Sequence, residues 1–417
     1  MSSLQRQLGA IAVPLAIIMP VLIGMIGLAI EYGYWQTLQT KHRNTADVAV
    51  YAAAITLVQG QSVADSEAAI ERVSHLNLND TAYPSIRYSI PPSQGSFAGQ
   101  NGYIEVIVDD LVPRYLSKLF ATGDVTVQAR SVSRFVGIGD TACMLALSPD
   151  SPSALEFSGS SNSTFSGCSI ASNSVSNNAF HMNGGSVVVE AGCVDVAGGV
   201  SVTSNLTLTN CEAPRVLQPK IVDPYENVSI PNVGLLPDCS PGGKIADESL
   251  TMGSGNSLGY PYLCFNTSTR FSGNVNLAPG LYIFASGGLN IESNAVITGT
   301  GVTLMMANNS ELSVAGTARL SLSAPTGGDF DGLLFIGERS GTMKQHSITG
   351  NSDSTLDGAF YFPNDELIYT GNTSSTDNCV QYLASQISVT GNSTINVNCT
   401  PAGGSNIYTN IKVSLEE

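Results

Sequence analysis

The residues with the most chemistry to offer are eight cysteines, all placed after residue 140: Cys143, Cys168, Cys193, Cys211, Cys239, Cys264, Cys379 and Cys399. The number is even and none is spaced Cys-x-x-Cys. The four histidines, His42, His75, His181 and His346, are scattered, so a zinc site is not expected. Disulfides formed in an oxidising compartment are the expectation, with buried free thiols as the alternative. Neighbours in sequence are 25, 18, 25 and 20 residues apart, and their sequential pairing is one connectivity among 105. A second cluster, Asp329, Asp331, Glu338, Arg339, Lys344 and His346, has the residue types of carboxylate-based glycan cleavage. Its spacing is not catalytic, and the plainer reading is a charged loop. There is no Gly-x-Ser-x-Gly elbow, His-Glu-x-x-His pair or phosphate loop, and Asp150-Ser151-Pro152-Ser153 lacks the spacing of an Asp-x-Ser-x-Ser metal motif. No catalytic residue, cofactor or metal site is assigned, and the chain is not expected to be an enzyme. A polysaccharide-cleaving enzyme on a periplasmic or surface β-helix is the alternative.

The elements that position these residues follow from composition. Hydrophobic residues make up 43% of the 417, enough for a core, while charged residues are only 12% and glycine numbers 42. Few charges with abundant Gly, Ser, Thr and Asn favour short strands and tight turns over helices. The net charge of −16 opposes phosphate backbones, so nucleic acid is excluded as a partner. Residues 8–30 form an uncharged run of 23. As a helix it would span about 34 Å, enough for a bilayer. The run includes Leu8, Pro14, Pro20 and Ile30, with Trp35 at the level of an aromatic belt. It is longer than the apolar core of a cleavable secretory signal, so the N-terminus is expected to be retained. The helix continues to about residue 58 through an Ala-rich stretch, 46–54, suited to close packing beside other membrane helices or on its own domain. A helix at 66–76, strands at 103–109 and 125–136, and a short helix at 112–121 make a small α/β unit.

From about residue 140 short strands alternate with Gly- and Asn-rich corners. Gly350-Asn351, Gly371-Asn372 and Gly391-Asn392 recur at intervals of 21 and 20 residues, with Gly273-Asn274 an earlier copy. A period near 20 fits the stacked coils of a right-handed parallel β-helix-like solenoid, each coil burying the faces of the last. A β-sandwich is the alternative. Residues 213–262 break the pattern and, with the corner beside them, hold seven of the 19 prolines. The expected organisation is an anchor and continuing helix at 1–58, a pilin-like α/β stalk unit at 59–137, a first solenoid block at 138–212, a Pro-rich excursion at 213–262 and a second block at 263–417. The fold class is mainly β.

The stretch Gln7-Leu8-Gly9-Ala10-Ile11-Ala12-Val13, then an apolar run, Glu31-Tyr32-Gly33, and finally Asn44-Thr45-Ala46-Asp47 with Ala52-Ala53-Ala54, resembles the N-terminal segment of TadE/TadG-like proteins of Tad (Flp) pilus assembly. Pro14 stands where processed pseudopilins carry Glu, which favours an uncleaved, TadG-like anchor. Distal phrases such as Pro279-Gly280-Leu281-Tyr282-Ile283-Phe284 are similar to the C-terminal regions of TadG-related chains. The resemblance implies a structural or assembly component of a Tad pilus, in a minor-pilin or adhesion role. It would be a single-pass protein of a bacterial inner membrane, with its distal region in the periplasm or exposed on a pilus. Implied partners are pseudopilin or assembly subunits bound through the N-terminal helix, the membrane, and a glycan or surface ligand.

Overall fold

The computed structural model describes residues 4–58, 63–78, 84–135, 140–233, 236, 239–253, 258, 260–350, 354–373, 379–397, 404–409 and 413–417, with the backbone alone at 4–14, 371–373, 379 and 392–397. The chain divides into two compact units, residues 1–138 with 411–417, and residues 139–410.

The first unit is built on α1, Leu4–Val58, whose 55 residues extend about 83 Å. Its composition changes along its length, and its burial changes with it. From Leu15 to Ile26 every side chain is exposed. From Gly27 onward one stripe is covered: Gly27, Glu31, His42, Thr45, Ala46, Ala49, Val50, Ala53 and Ala54. The steps of three and four are those of one helix face. The small alanines let α1 approach α2, Val63–Leu78, and a sheet ordered Ser85–Ser89, Tyr103–Val112, Val125–Arg134, Ser414–Leu415, all antiparallel. Ile70, Ile104 and Val106 close this core. Residues 112–121, expected as a short helix, hold only a single 3₁₀ turn at Ser117–Leu119. The second solenoid block was expected to reach residue 417, but Ser414–Leu415 belongs to this sheet instead.

The second unit is a β-solenoid of about ten turns. Nearly all its pairings are parallel, which rules out the sandwich. Each coil contributes three strands to three faces. The first face runs Tyr262–Phe265, Gly280–Phe284, Val302–Met306, Leu333–Ile336, 359–362, 380–384, Asp140–Ala146, Ser169–Ser172, Val194–Val196. The coil order is therefore not the chain order. The chain enters mid-stack at Asp140, climbs to Val196, returns to the far end, and winds back until Cys379–Val397 lies in parallel register on the strands of the first block. Aromatic rings fill the interior, with Phe335 on Phe360 at 4.6 Å and Phe360 on Tyr382 at 5.4 Å.

The returning segment is not a free linker. Its Tyr225 and Val233 are buried against the outer side of the first face, among Leu281, Ile283, Met305, Leu333 and Leu383. First-face strands are thus covered on both sides, and this is why 281–284 and 333–336 read as unbroken apolar runs. Within the same Pro-rich stretch Gly243–Leu250 forms a strand, bulged at Asp247, paired in parallel with Thr269–Leu277, so the expected lapse of the repeat is shorter than 213–262.

Candidate functional site

Two surfaces are candidates for function, and the first lies on α1. Leu15, Ile17, Ile18, Met19, Val21, Leu22, Ile23, Met25, Ile26 and Ile30 are exposed together, and α1 is the one helix among the described residues long and apolar enough to cross a membrane. Pro20 is exposed within it and Trp35 is half-buried; of Leu8 and Pro14 the structure describes the backbone, which is helical. The boundary of the exposed run is held by Glu31. Its carboxylate accepts the backbone N–H groups of Tyr115 at 2.7 Å, Leu116 at 3.1 Å and Ser117 at 2.7 Å, and the Ser117 hydroxyl at 3.1 Å. A carboxylate in the middle of a helix thus supplies the partners for the amides opening a 3₁₀ turn. Of the two packings expected for the Ala-rich stretch at 46–54, the structure shows the one on its own domain, against α2 and the sheet. Ala46, Ala49, Ala53 and Ala54 are fully buried in their own unit, because small side chains there let the sheet and α2 come close.

The same unit contains a buried carboxylate, Glu105. It accepts hydrogen bonds from Ser89 Oγ at 2.8 Å, Ser93 N at 2.9 Å, Ser93 Oγ at 2.6 Å and the Arg130 guanidinium. Burial pushes its pKa up, but these four donors outweigh burial and hold it below the usual carboxylate range. Arg130 also donates to Glu417, tying the C-terminal residues to the sheet.

The second candidate surface is the pair of solenoid faces that the returning segment leaves open. On the second face outward positions fall in one row across the whole stack: Arg270, Asn290, Ser313, Ser347, Ile368, Ser388, Glu156, His181, Ser201. Neighbouring side chains are cross-linked along the stack, Ser388 Oγ and Gln345 Nε2 donating to Glu366 at 2.9 Å each. A shallow groove of about 650 Å³ is lined there by Glu311, Ser313, Lys344, Gln345, Ser347 and Glu366. The third face carries Asn276, Thr298, Ser321 and Thr355 in register, with Thr298 donating to Asn276 and Thr355 to Ser321, both at 3.1 Å. Parallel ladders between successive coils hold these rows in register.

Between the second and third faces lie the corners. Gly350 pairs with Gly371 within the ladder, and Gly350 does not adopt a positive φ. Gly391 does, at 76°, and there the register slips so that Asn372 faces Thr394 rather than Asn392. The expected ladder from Asn372 to Asn392 is broken by that extra turn of backbone; Asn351 lies outside the described residues. The corner that does stack was not recognised in the sequence. Gly159 (φ 74°) sits over Gly391, a Cβ on it falling 3.0 Å from the Gly391 nitrogen, and Gly184 (φ 124°) sits over Gly159. Ser-Gly at 158–159 and Asn-Gly at 183–184 were the available signals.

Among the described residues three disulfides are formed: Cys143–Cys168, Cys193–Cys211 and Cys239–Cys264. The first joins consecutive first-face coils. The other two fasten the returning segment at both of its ends. Cys399 lies outside the described residues, and Cys379 starts the last long strand. Between the two fastened ends the segment is held by Arg339, which donates to the carbonyls of Tyr225 at 2.6 Å and Val228 at 2.8 Å, and by Asp223, which accepts Tyr361 Oη at 2.7 Å.

The charged cluster read from the sequence does not converge. Arg339 is committed to that segment, Glu338 accepts the Asn308 N–H, and Lys344 pairs with Glu311 at 3.9 Å. His346 is fully buried; its Nδ1 accepts the Leu312 N–H at 3.1 Å, so Nε2 carries the proton donated to Asp365 at 3.1 Å. Asp329 and Asp331 are exposed on the 325–332 turn.

Residues 9–56 match the model of the family described as "Putative Flp pilus-assembly TadE/G-like". The match spans the exposed apolar run, Glu31 and the buried alanine stripe. No curated protein and no solved structure matches the chain.

Proposed function

We propose that this protein is a membrane-anchored structural component of a Tad (Flp) pilus, held in a bacterial inner membrane by the first half of α1 and projecting a disulfide-stapled solenoid on the outer side. The observation that carries the reading is the coincidence of the TadE/G-like match with a helix that is bare and apolar over 15–26 and packed from Gly27 onward. An exposed apolar surface of that length has no other stable solvent than lipid or the apolar helices of partner subunits. The chain acts by binding. Pseudopilin-like subunits meet the bare part of α1, since the alanine stripe is already occupied, and further subunits or a surface glycan meet the second and third solenoid faces. Flat rows of hydroxyl and amide groups suit repeated hydrogen bonding to a polymer, whether peptide or polysaccharide. The disulfides accord with an oxidising compartment.

The test is photo-crosslinking in cells from residues substituted at Ile18 or Ile23. Adducts with pilus subunits, in a membrane fraction, are the expected result, with loss of piliation on deletion of the gene. Recovery of the protein free of membranes, or piliation unchanged by deletion, overturns the reading.

A further inference from the structure

The end of strand Tyr103–Val112 and the loop joining it to Val125–Arg134 carry an unusual set of exposed side chains. Leu111, Tyr115, Leu119 and Phe120 are 67%, 68%, 82% and 77% exposed, and Lys118 is exposed among them. Four large apolar groups gathered at one strand end and the short loop that follows it are far from the scattered exposure of an ordinary surface. Among the described residues of the first unit they remain exposed.

Their position along α1 identifies what covers them. The loop is locked to α1 by the four hydrogen bonds to Glu31. Just before that residue Leu116 packs on Gly27, where any side chain would collide with it. Arg114 stacks over Trp35, 5.5 Å from the ring centroid. The attachment thus straddles the end of the uncharged run at Ile30, Gly27 lying about 5 Å inside it along the helix axis. Side chains projecting sideways from that level enter the zone between headgroups and acyl chains, where amphipathic elements bury their apolar face about 5–10 Å deep.

We propose that residues 111–120 form a second membrane contact, a lipid-inserted loop in which Leu119 and Phe120 enter the acyl region, Tyr115 lies at the headgroup level and Lys118 meets lipid phosphate. Tyrosine and lysine have this placement because each joins an apolar body or stem to a polar tip. The loop fixes the rotation of α1 about its axis and holds the first unit against the bilayer. Glu31 is its positioning residue, supplying the acceptors that keep the turn attached to the helix. Sealing the turn's amides matters more here than in water, because an unpaired N–H near lipid has no alternative partner.

The inference rests on the anchoring reading, and its test separates the two. Full-length protein with Trp35→Phe, leaving no native tryptophan, is reconstituted into phosphatidylcholine–phosphatidylglycerol vesicles with brominated acyl chains. Single tryptophans are then introduced by Ile23→Trp, Phe120→Trp and Leu119→Trp. The expected result is strong bromolipid quenching of all three, with protection of the loop tryptophans from aqueous acrylamide. Adding Glu31→Ala releases the loop, lowering quenching at Phe120→Trp at least twofold while leaving Ile23→Trp unchanged. Quenching at Ile23→Trp with none at either loop position refutes the loop insertion and leaves the anchor standing. No quenching at any position refutes the anchor and the loop with it.

Discussion

Replacing Gly159 by alanine tests the seam where the two solenoid blocks meet. Gly159 combines two costs, of which Gly167 carries only the first. The φ of 74° at Gly159 is left-handed, which costs a residue bearing Cβ about 1–2 kcal/mol. A Cβ at Gly159 would also lie 3.0 Å from the nitrogen and 3.1 Å from the oxygen of Gly391, both backbone atoms that move only with their coil. Overpacking of this kind costs about 1–3 kcal/mol. Against these stands about 0.4–1 kcal/mol gained by restricting the unfolded chain. The net is about 2–4 kcal/mol. Gly167 has the same φ of 74° but no atom near its Cβ, so Gly167→Ala isolates the backbone cost, about 1 kcal/mol. Gly185 has open space and no positive φ, and Gly185→Ala should be neutral or slightly stabilising. At roughly 2–4 °C per kcal/mol for a unit of this size, Gly159→Ala lowers the solenoid melting temperature by roughly 4–16 °C. Circular dichroism melts near 218 nm on detergent-solubilised protein, disulfides intact, read the series. Equal melting of Gly159→Ala and Gly167→Ala would refute the stacked corner, since the whole difference between them is the approach to Gly391.

Three other outcomes follow from the same geometry. Arg339→Met removes the donor to the Tyr225 and Val228 carbonyls, a loss of about 2 kcal/mol that should speed tryptic cleavage at Lys220 roughly 30-fold; an unchanged rate would mean that Arg339 does not hold the segment. Opening Cys239–Cys264 by a double serine substitution releases a 25-residue loop and should cost about 3 kcal/mol, read as a lower melting temperature that added reductant lowers no further through this pair; a wild-type melt would be inconsistent with a closed bond. Glu105, whose folded pKa lies below its unfolded one, contributes stability that is present above the unfolded carboxylate range and lost as pH falls through the folded value. Acid should therefore destabilise the wild-type first unit more than Glu105→Gln, and parallel acid titrations of the two would sink that account.

How much of this was legible in the sequence depends on whether each feature is local. The apolar run, the onset of short strands at residue 140 and the switch to coil-like periodicity are carried by neighbouring residues, and the helix and solenoid follow from them. The stacking order of the coils is not local. Nothing near Asp140 announces that its strand will lie on 380–384 rather than at the end of the stack, because both edges offer the same parallel ladder. The corner repeat was read along the chain, which paired Gly371 with Gly391, whereas Gly391 lies against Gly159, 232 residues away (391 − 159). A signal for the returning segment is present in the sequence. Runs such as Leu333-Leu334-Phe335-Ile336 do not alternate, and a solenoid face with apolar side chains both inward and outward requires a cover. A Pro-rich segment bearing Ile221, Tyr225, Val228, Ile230 and Val233 between two cysteines is the cover that such a face needs. Glu31 is the same lesson in the first unit. Read as an acidic residue just beyond an apolar run it marks a boundary, but its function as acceptor for three backbone amides depends on a loop more than eighty residues on, which only the folded sheet brings to it.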